Sequence, residues 1–239
     1  EDLSFSYHPG TKVLKTVSLE IDPGEKFGII GPSGSGKSTL LLHLNGVLTG
    51  QEGKVTIGNT PVTTKNLREV RRMVGLVFQN PDDQLFNPTV EEDVAFGPLN
   101  FGLTATEVNE RVKETLAMMN LSGFEKKTSH HLSLGERKRV ALATVLSMKP
   151  EVLAFDEPFS NLAPSMVLQL IEVMGSMKST QVIVSQSVLP VMALCNRMAI
   201  LKDGEIMAVG ETSALAKDRS LMKASGLDLS LYRNICSDL

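Results

Sequence analysis

Short apolar runs separated by glycine, proline and charged turns recur along the chain, and their period changes from segment to segment. Leu3 to Tyr7 and Val17 to Ile21 alternate apolar with polar positions, which predicts two half-buried antiparallel strands across the His8-Pro9-Gly10 turn. Lys26 to Ile30 is instead a compact apolar run ending at Gly31, and Leu40-Leu41-Leu42 with Leu44 follows on an expected amphipathic helix. A buried strand, a glycine loop and a helix make half of a βαβ unit. Val55 to Ile57 and Val74 to Phe78 read as further strands, and Val152 to Phe155, Val182 to Val184 and Met198 to Leu201 as buried ones.

Between Pro88 and Pro150 the period becomes helical, with Thr104 and Thr106 as candidate caps and Val108, Val112, Leu116 and Met119 on one stripe. Asp203-Gly204 is a hairpin turn between Ile200-Leu201 and Ile206-Met207, and the chain beyond Glu211 reads as mostly helical. The expected fold is therefore α/β, with an antiparallel β subdomain and a helical subdomain inserted at about 84–150. The main domain is expected over 1–216, followed by a C-terminal extension over 217–239. The chain opens at Glu1 inside an expected strand and without a methionine, as a trimmed or partly disordered beginning would.

Composition narrows the function classes. At 239 residues and 42% hydrophobic, the chain can bury a substantial core. A formal net charge of −3 leaves no global basic footprint, so nothing in it points to nucleic acid as the principal partner. Cys195 and Cys236 have no metal-type spacing and make no disulfide framework, which fits a reducing compartment. No apolar stretch approaches the ~20 residues that cross a bilayer, and no signal-peptide pattern opens the chain.

The chemistry begins at Gly31-Pro32-Ser33-Gly34-Ser35-Gly36-Lys37-Ser38-Thr39. A loop that wraps phosphates must turn its backbone N–H groups inward, which requires glycine where a side chain or restricted φ would obstruct the wrap. Lys37 then supplies a point charge for β- and γ-phosphates, Ser38 a hydroxyl for Mg²⁺, and the following helix its positive end. The other reading is a glycine-rich turn that binds nothing. Further on, Asp156-Glu157 closes a buried apolar strand, where the strand ends of open α/β sheets meet their ligands. There Asp156 can hold Mg²⁺ through water and Glu157 can orient the water that attacks a γ-phosphate; alone, the pair would be an ordinary strand cap.

Joined, these motifs resemble the ATPase subunits of ABC transporters, a branch of the P-loop NTPases, along nearly the whole chain. In that resemblance Leu132-Ser133-Leu134-Gly135-Glu136 stands at the family's signature sequence, and Ser133 and Gly135 close over ATP held by a second ATPase subunit. Physically, Ser133 can also be a plain cap on a surface helix. Gln79 resembles the glutamine that touches Mg²⁺ and the attacking water, and Tyr7 the aromatic that stacks on adenine; read alone, they are a solvated strand end and a packing residue. The segment Phe78 to Gly97 is similar to the energy-coupling-factor branch, especially cobalt and nickel importers. Its carboxylates lack metal-binding spacing and read as solvated turn acids.

Three positions depart from the family pattern. Gln186 stands where the switch histidine is expected, Ala163 where an aspartate bridges the subunits, and Leu134 where the signature has its first glycine. Gln donates a hydrogen bond but does not become cationic, and Ala offers no acceptor. Leu134 matters if that backbone needs positive φ or close approach.

The resemblance implies an ATP-hydrolysing, Mg²⁺-dependent transport motor on the cytoplasmic face of the membrane. It would work with transmembrane coupling and substrate-specificity subunits and a second ATPase chain, with slow turnover or a heterodimer as the consequence of the departures. The alternatives are a soluble ABC ATPase acting without a transporter and a nucleotide-sensing partner subunit.

Overall fold

The longest apolar runs pair into one sheet. A computed structural model describes residues 1–50 and 52–227, so the part of the expected extension from 228 onward lies outside the described residues. Antiparallel β1 (Leu3–Phe5) and β2 (Leu14–Val17) open the chain, and β3 (Lys26–Ile30) leads into α1 (Lys37–Leu44). β4 (Thr56–Ile57) and β5 (Thr60–Pro61) form a separate hairpin, then come α2 (Leu67–Met73) and β6 (Val74–Val77). Helices α3 (Val90–Asn100), α4 (Ala105–Met118) and α5 (Leu134–Leu146) intervene before β7 (Val152–Asp156). The order then alternates: α6 (Pro164–Ser176), β8 (Thr180–Ser185), α7 (Val188–Leu194), β9 (Arg197–Lys202), β10 (Glu205–Glu211), α8 (Thr212–Lys217) and α9 (Arg219–Ala224).

The main sheet runs β10-β9-β3-β8-β7-β6, parallel except for β10 at one edge. Successive side chains of its central strands fall on opposite faces. Phe27, Ile29, Ala154, Val182, Val184, Ala199 and Leu201 face one core, together with Leu40 and Leu41 of α1. Ile30, Leu153, Phe155, Ile183, Met198 and Ile200 face another, which continues into α3, α4 and α5. Burial on both faces explains why these strands read as short apolar runs rather than alternating ones. It also fixes their register, since a slip of one residue would exchange the two cores. Main-chain pairing sets Ile30 opposite Ser185 and Asp156 opposite Val184, so β3, β8 and β7 end together at one rim.

Several local expectations shift. The partner of β1 is Leu14–Val17, not Val17 to Ile21, because a bulge breaks the register and Thr16 takes a φ of 53°. Helix α1 buries Lys37, Thr39, Leu40, Leu41 and His43, because β7 and β8 cover one side and Phe5 and Tyr7 another, so it does not present one apolar stripe. Thr104 caps α4 in a reciprocal box with Glu107, whereas Thr106 lies inside that helix. Phe78 leaves β6 because its N–H turns to the Gln84 side chain at 3.1 Å. At the β9–β10 hairpin Asp203 and Gly204 have φ of 50° and 82°, the conformation a two-residue turn requires.

Candidate active site

The loop between β3 and α1 curls at the rim where β3, β7 and β8 end. Gly36 caps α1 at φ 103°, and a Cβ there would stand 3.0 Å from the Val13 carbonyl. At Gly31 a Cβ would lie 2.1 Å from the Leu201 carbonyl, so the loop approaches β9 too closely for any side chain. Gly34 is left-handed at φ 78° and exposed, as is Ser33, while Ser35 is buried with an unpartnered hydroxyl. Thr39 is buried and lies 3.2 Å from the Tyr7 hydroxyl.

Lys37 is only 5% exposed, and its ammonium donates to the carbonyls of Gly31 at 2.8 Å and Pro32 at 2.9 Å. Burial lowers its pKa, with the charges of Glu157 and Asp156 opposing that shift. Glu157 Oε1 stands 4.0 Å from Lys37 Nζ. The Ser38 hydroxyl donates to Asp156 Oδ1 at 3.0 Å. Burial raises the pKa of Asp156, and the bond from Ser38 opposes it. Two carboxylates, one ammonium and one hydroxyl thus meet at the rim, although 118 positions separate Ser38 from Asp156.

Glu157 adopts a left-handed φ of 44°, an uncommon state for a residue with a side chain. Its N–H donates to the Val184 carbonyl at 3.0 Å, and its Oε2 accepts from the Ser185 hydroxyl at 3.2 Å. Its Oε1 is buried without a hydrogen-bond partner. A buried acceptor left free beside an ammonium is a position that can receive a proton from a bound molecule.

The remaining expected residues are arranged around this corner. Tyr7 is 51% exposed and meets Phe5 edge-to-face at 5.0 Å, so its ring is available for stacking rather than packed in the core. Gln79 is exposed just beyond β6, the neighbour of β7. Gln186 is exposed immediately after Ser185 at the end of β8. Ser133 caps α5 in a reciprocal box with Glu136, and its side-chain hydrogen bonds are confined to that box. It does not join the Lys37 corner.

The departures have distinct structural consequences. Leu134 is the first residue of α5 with ordinary helical backbone, so no positive φ is needed there. Gly135 packs beneath α6, where a Cβ would lie 1.5 Å from the Met166 methyl, so a side chain there would require the flexible end of Met166 to move. Ala163 occupies the cap position of α6, ahead of Pro164, and gives that helix no side-chain cap. The turn acids are not uniformly solvated. Asp93 is buried, and its Oδ1 accepts from the Phe86 and Asn87 N–H groups and the Asn87 amide, while Oδ2 accepts from Ser129. Among the described residues no group of acids, histidines and cysteines has a metal-holding arrangement.

Sequence reasoning missed Ser185, which holds the Glu157 carboxylate, and Ser160 and Lys138, which both hold its carbonyl. A polar residue closing a buried apolar strand was the available signal for Ser185. Nothing in the local sequence separates Lys138 from its basic neighbours.

The family model described as ABC transporter matches residues 14–160, more than half of the chain. This chain belongs to the ABC transporter ATPase family. It is 44% identical over 233 residues to the energy-coupling factor transporter ATP-binding protein EcfA of Methanothermobacter thermautotrophicus, covering 95% of this chain and 75% of that one. Among solved structures, cbiO1 of Clostridium perfringens, part of the ABC transporter complex cbiONQ, superposes with a TM-score of 0.84 at 32% identity, covering 99% and 97% of the two chains. A dimeric ATP-binding cassette in a post-hydrolysis state with ADP and Pi gives 0.80 at 29% identity, covering 89% and 97%. The chain is thus a P-loop ATPase of the ABC family, with the fold expected for it. No helix among the described residues is long and apolar enough to cross a membrane.

Proposed function

We propose that this chain is the ATP-hydrolysing subunit of an energy-coupling-factor-type importer, carrying cobalt or nickel ions through partner subunits. The observation that carries the catalytic part is the corner where Lys37 meets Glu157 at 4.0 Å and Ser38 meets Asp156 at 3.0 Å. Similarity to EcfA and cbiO1 supports the importer type, and the Phe78 to Gly97 segment supports the metal-ion cargo.

In this reading the N–H groups of Gly31 to Thr39 and the Lys37 ammonium hold the β- and γ-phosphates, and Tyr7 stacks on the adenine. The oxygens of Ser38 and Asp156, with the Gln79 side chain, suit Mg²⁺, which neutralises phosphate charge when bound. Glu157 accepts hydrogen bonding from the attacking water through its free Oε1 while Ser185 restrains Oε2. Gln186 donates a hydrogen bond to a phosphate oxygen without carrying a charge. Ser133 and Gly135 serve the nucleotide of a second ATPase subunit.

The exposed aromatics Phe86 and Phe96, stacked edge-to-face at 4.9 Å, with exposed Leu99, form an apolar patch suited to a membrane subunit. The chain would then sit peripherally on the cytoplasmic face of the membrane. Isolation from membranes followed by uptake assays tests the proposal. Co-purifying membrane subunits and ATP-dependent accumulation of cobalt or nickel are expected; accumulation of neither ion would overturn the cargo, and absence of any membrane subunit the importer itself.

A further inference from the structure

Lys138 lies in the second turn of α5, where a long basic side chain would ordinarily reach for water. It points instead at the backbone that follows β7. Its ammonium donates to the carbonyls of Glu157 at 3.3 Å, Pro158 at 3.1 Å and Ser160 at 2.8 Å, and to the Ser160 hydroxyl at 3.1 Å. The Ser160 hydroxyl donates in turn to the Glu157 carbonyl at 2.8 Å. Four oxygens around three N–H donors make a cage closed on the Glu157 peptide.

That peptide needs holding. Glu157 and Asn161 have φ of 44° and 58°, and left-handed residues with side chains persist only where their surroundings over-determine them. The Val184 carbonyl fixes the Glu157 N–H from the sheet side, and Lys138 fixes its carbonyl from the helix side. Burial pulls the Lys138 pKa down to about 8, against the opposing charge of Glu157. Among the described residues this half-buried cation makes no ion pair with a carboxylate, and its hydrogen bonds all serve the segment that follows the catalytic strand.

We propose that Lys138 is a positioning residue for Glu157, setting its carboxylate toward Lys37 and making that setting depend on where α5 stands. This rests on reading Glu157 as the group that orients the attacking water. Helix α5 begins at the Ser133 cap assigned above to the second subunit's nucleotide. Lys138 follows about one and a half turns later on the same rigid rod. One helix thus has its end at one nucleotide and a side chain on the peptide that carries Glu157 at the other, so displacement of α5 reaches Glu157 through a single ammonium.

The test compares Lys138→Met, Lys138→Arg and Glu157→Gln in the dimerised chain, reading kcat, KM for ATP, nucleotide affinity and melting temperature. Lys138→Met is expected to lower kcat by about 10- to 100-fold while KM and affinity hold, because a small misplacement of a reacting group costs that much. Lys138→Arg is expected to recover most of the loss by restoring a cation among the carbonyls. If Lys138→Met does not fold, Lys138→Gln, which keeps two donors, serves the same comparison. Unchanged kcat overturns the proposal. So does a fall in kcat matched by equal losses of affinity or melting temperature, which would make Lys138 a residue of the fold only. Full turnover in Glu157→Gln would instead remove Glu157 from catalysis, a failure distinct from that of Lys138.

Discussion

Ser38 and Asp156 are joined by a 3.0 Å hydrogen bond that ties the start of α1 to the end of β7. Asp156 is held above its ordinary pKa of 3.8 chiefly by burial. Protons and Mg²⁺ therefore compete for it at higher pH than for a solvated aspartate. The Mg²⁺ concentration that half-saturates ATP hydrolysis should rise as pH falls toward that raised value, beginning at a higher pH than a solvated aspartate would show, and a titration series reads this directly. The stability sign runs the other way: with the folded pKa raised, this group's contribution is present below 3.8 and lost as pH rises through the folded value. Asp156→Asn should keep the bond from Ser38, melt at least as high as the parent near neutral pH, and lose the Mg²⁺ dependence with most of its activity.

Glu157→Gln keeps the shape of the side chain and removes the charge that can take a proton. Turnover should fall by about 10²- to 10⁴-fold, the usual contribution of a positioned base, while ATP binding survives. Ser185→Ala removes only the 3.2 Å restraint on Oε2 and should lower kcat severalfold without touching ATP affinity. Single-turnover phosphate release and equilibrium nucleotide binding separate the two effects; wild-type turnover in Glu157→Gln would exclude the carboxylate from the chemistry.

The glycine loop and the Asp156 strand end were legible because their chemistry is local: a strand, a backbone wrap and a charge lie within a few residues of one another. The central strands were legible for a related reason, since burial on both faces writes a continuous apolar run. What the sequence concealed is contact between distant segments. Lys138 reads as one of three consecutive cations, and only the fold turns it inward while Arg137 pairs with Asp82. Asp93 reads as one acid of a polar turn, yet it is buried and organises the Phe86-Asn87 backbone. The β1–β2 register was hidden as well, because a bulge at Thr16 overrides the alternation that local pattern offers.

His43 is fully buried beside Phe5, with its rings at 4.7 Å, and its Nδ1 lies 2.7 Å from the Thr39 carbonyl. A carbonyl only accepts, so Nδ1 carries the proton and Nε2, which has no partner, is bare. Burial lowers the pKa below 6.5, with the Thr39 bond opposing. Stability tied to this neutral ring is present above 6.5 and lost as pH falls through the folded value. Acidification from about pH 7.5 to about pH 5.5 should lower the parent's melting temperature more than that of His43→Leu. Equal shifts in the two proteins would show that His43 does not titrate with unfolding.

Ala163 leaves α6 without a side-chain cap although Pro164 already pre-sets its first turn. Ala163→Asp supplies an acceptor for the free N–H groups and a negative charge at the positive end of the helix. The variant should be more stable by about 1 kcal/mol, visible as a raised denaturation midpoint with an unchanged slope. An unchanged or lower midpoint would mean that the exposed helix start cannot accept the cap.

Glu136 places a carboxylate against the Ser133 cap, at the end of α5 proposed to meet the second subunit's nucleotide. Hydrogen bonds from the Ser133 side chain and backbone lower its pKa, so it remains ionised near neutral pH. That charge serves the helix, whose N-terminus favours an anion, but it opposes an approaching phosphate. Glu136→Gln preserves the reciprocal box, since Gln occupies the same place in such caps, and removes the opposition. ATP-dependent dimerisation in a Glu157→Gln background, followed by light scattering, should tighten by about 2- to 5-fold at low salt, the scale of a charge at a helix end. Added salt should erase most of the gain because the charge is exposed to solvent. Equal or weaker association at low salt would mean that the Ser133 end of α5 faces no phosphate, and the assignment of Ser133 and Gly135 to the second nucleotide would fall with it.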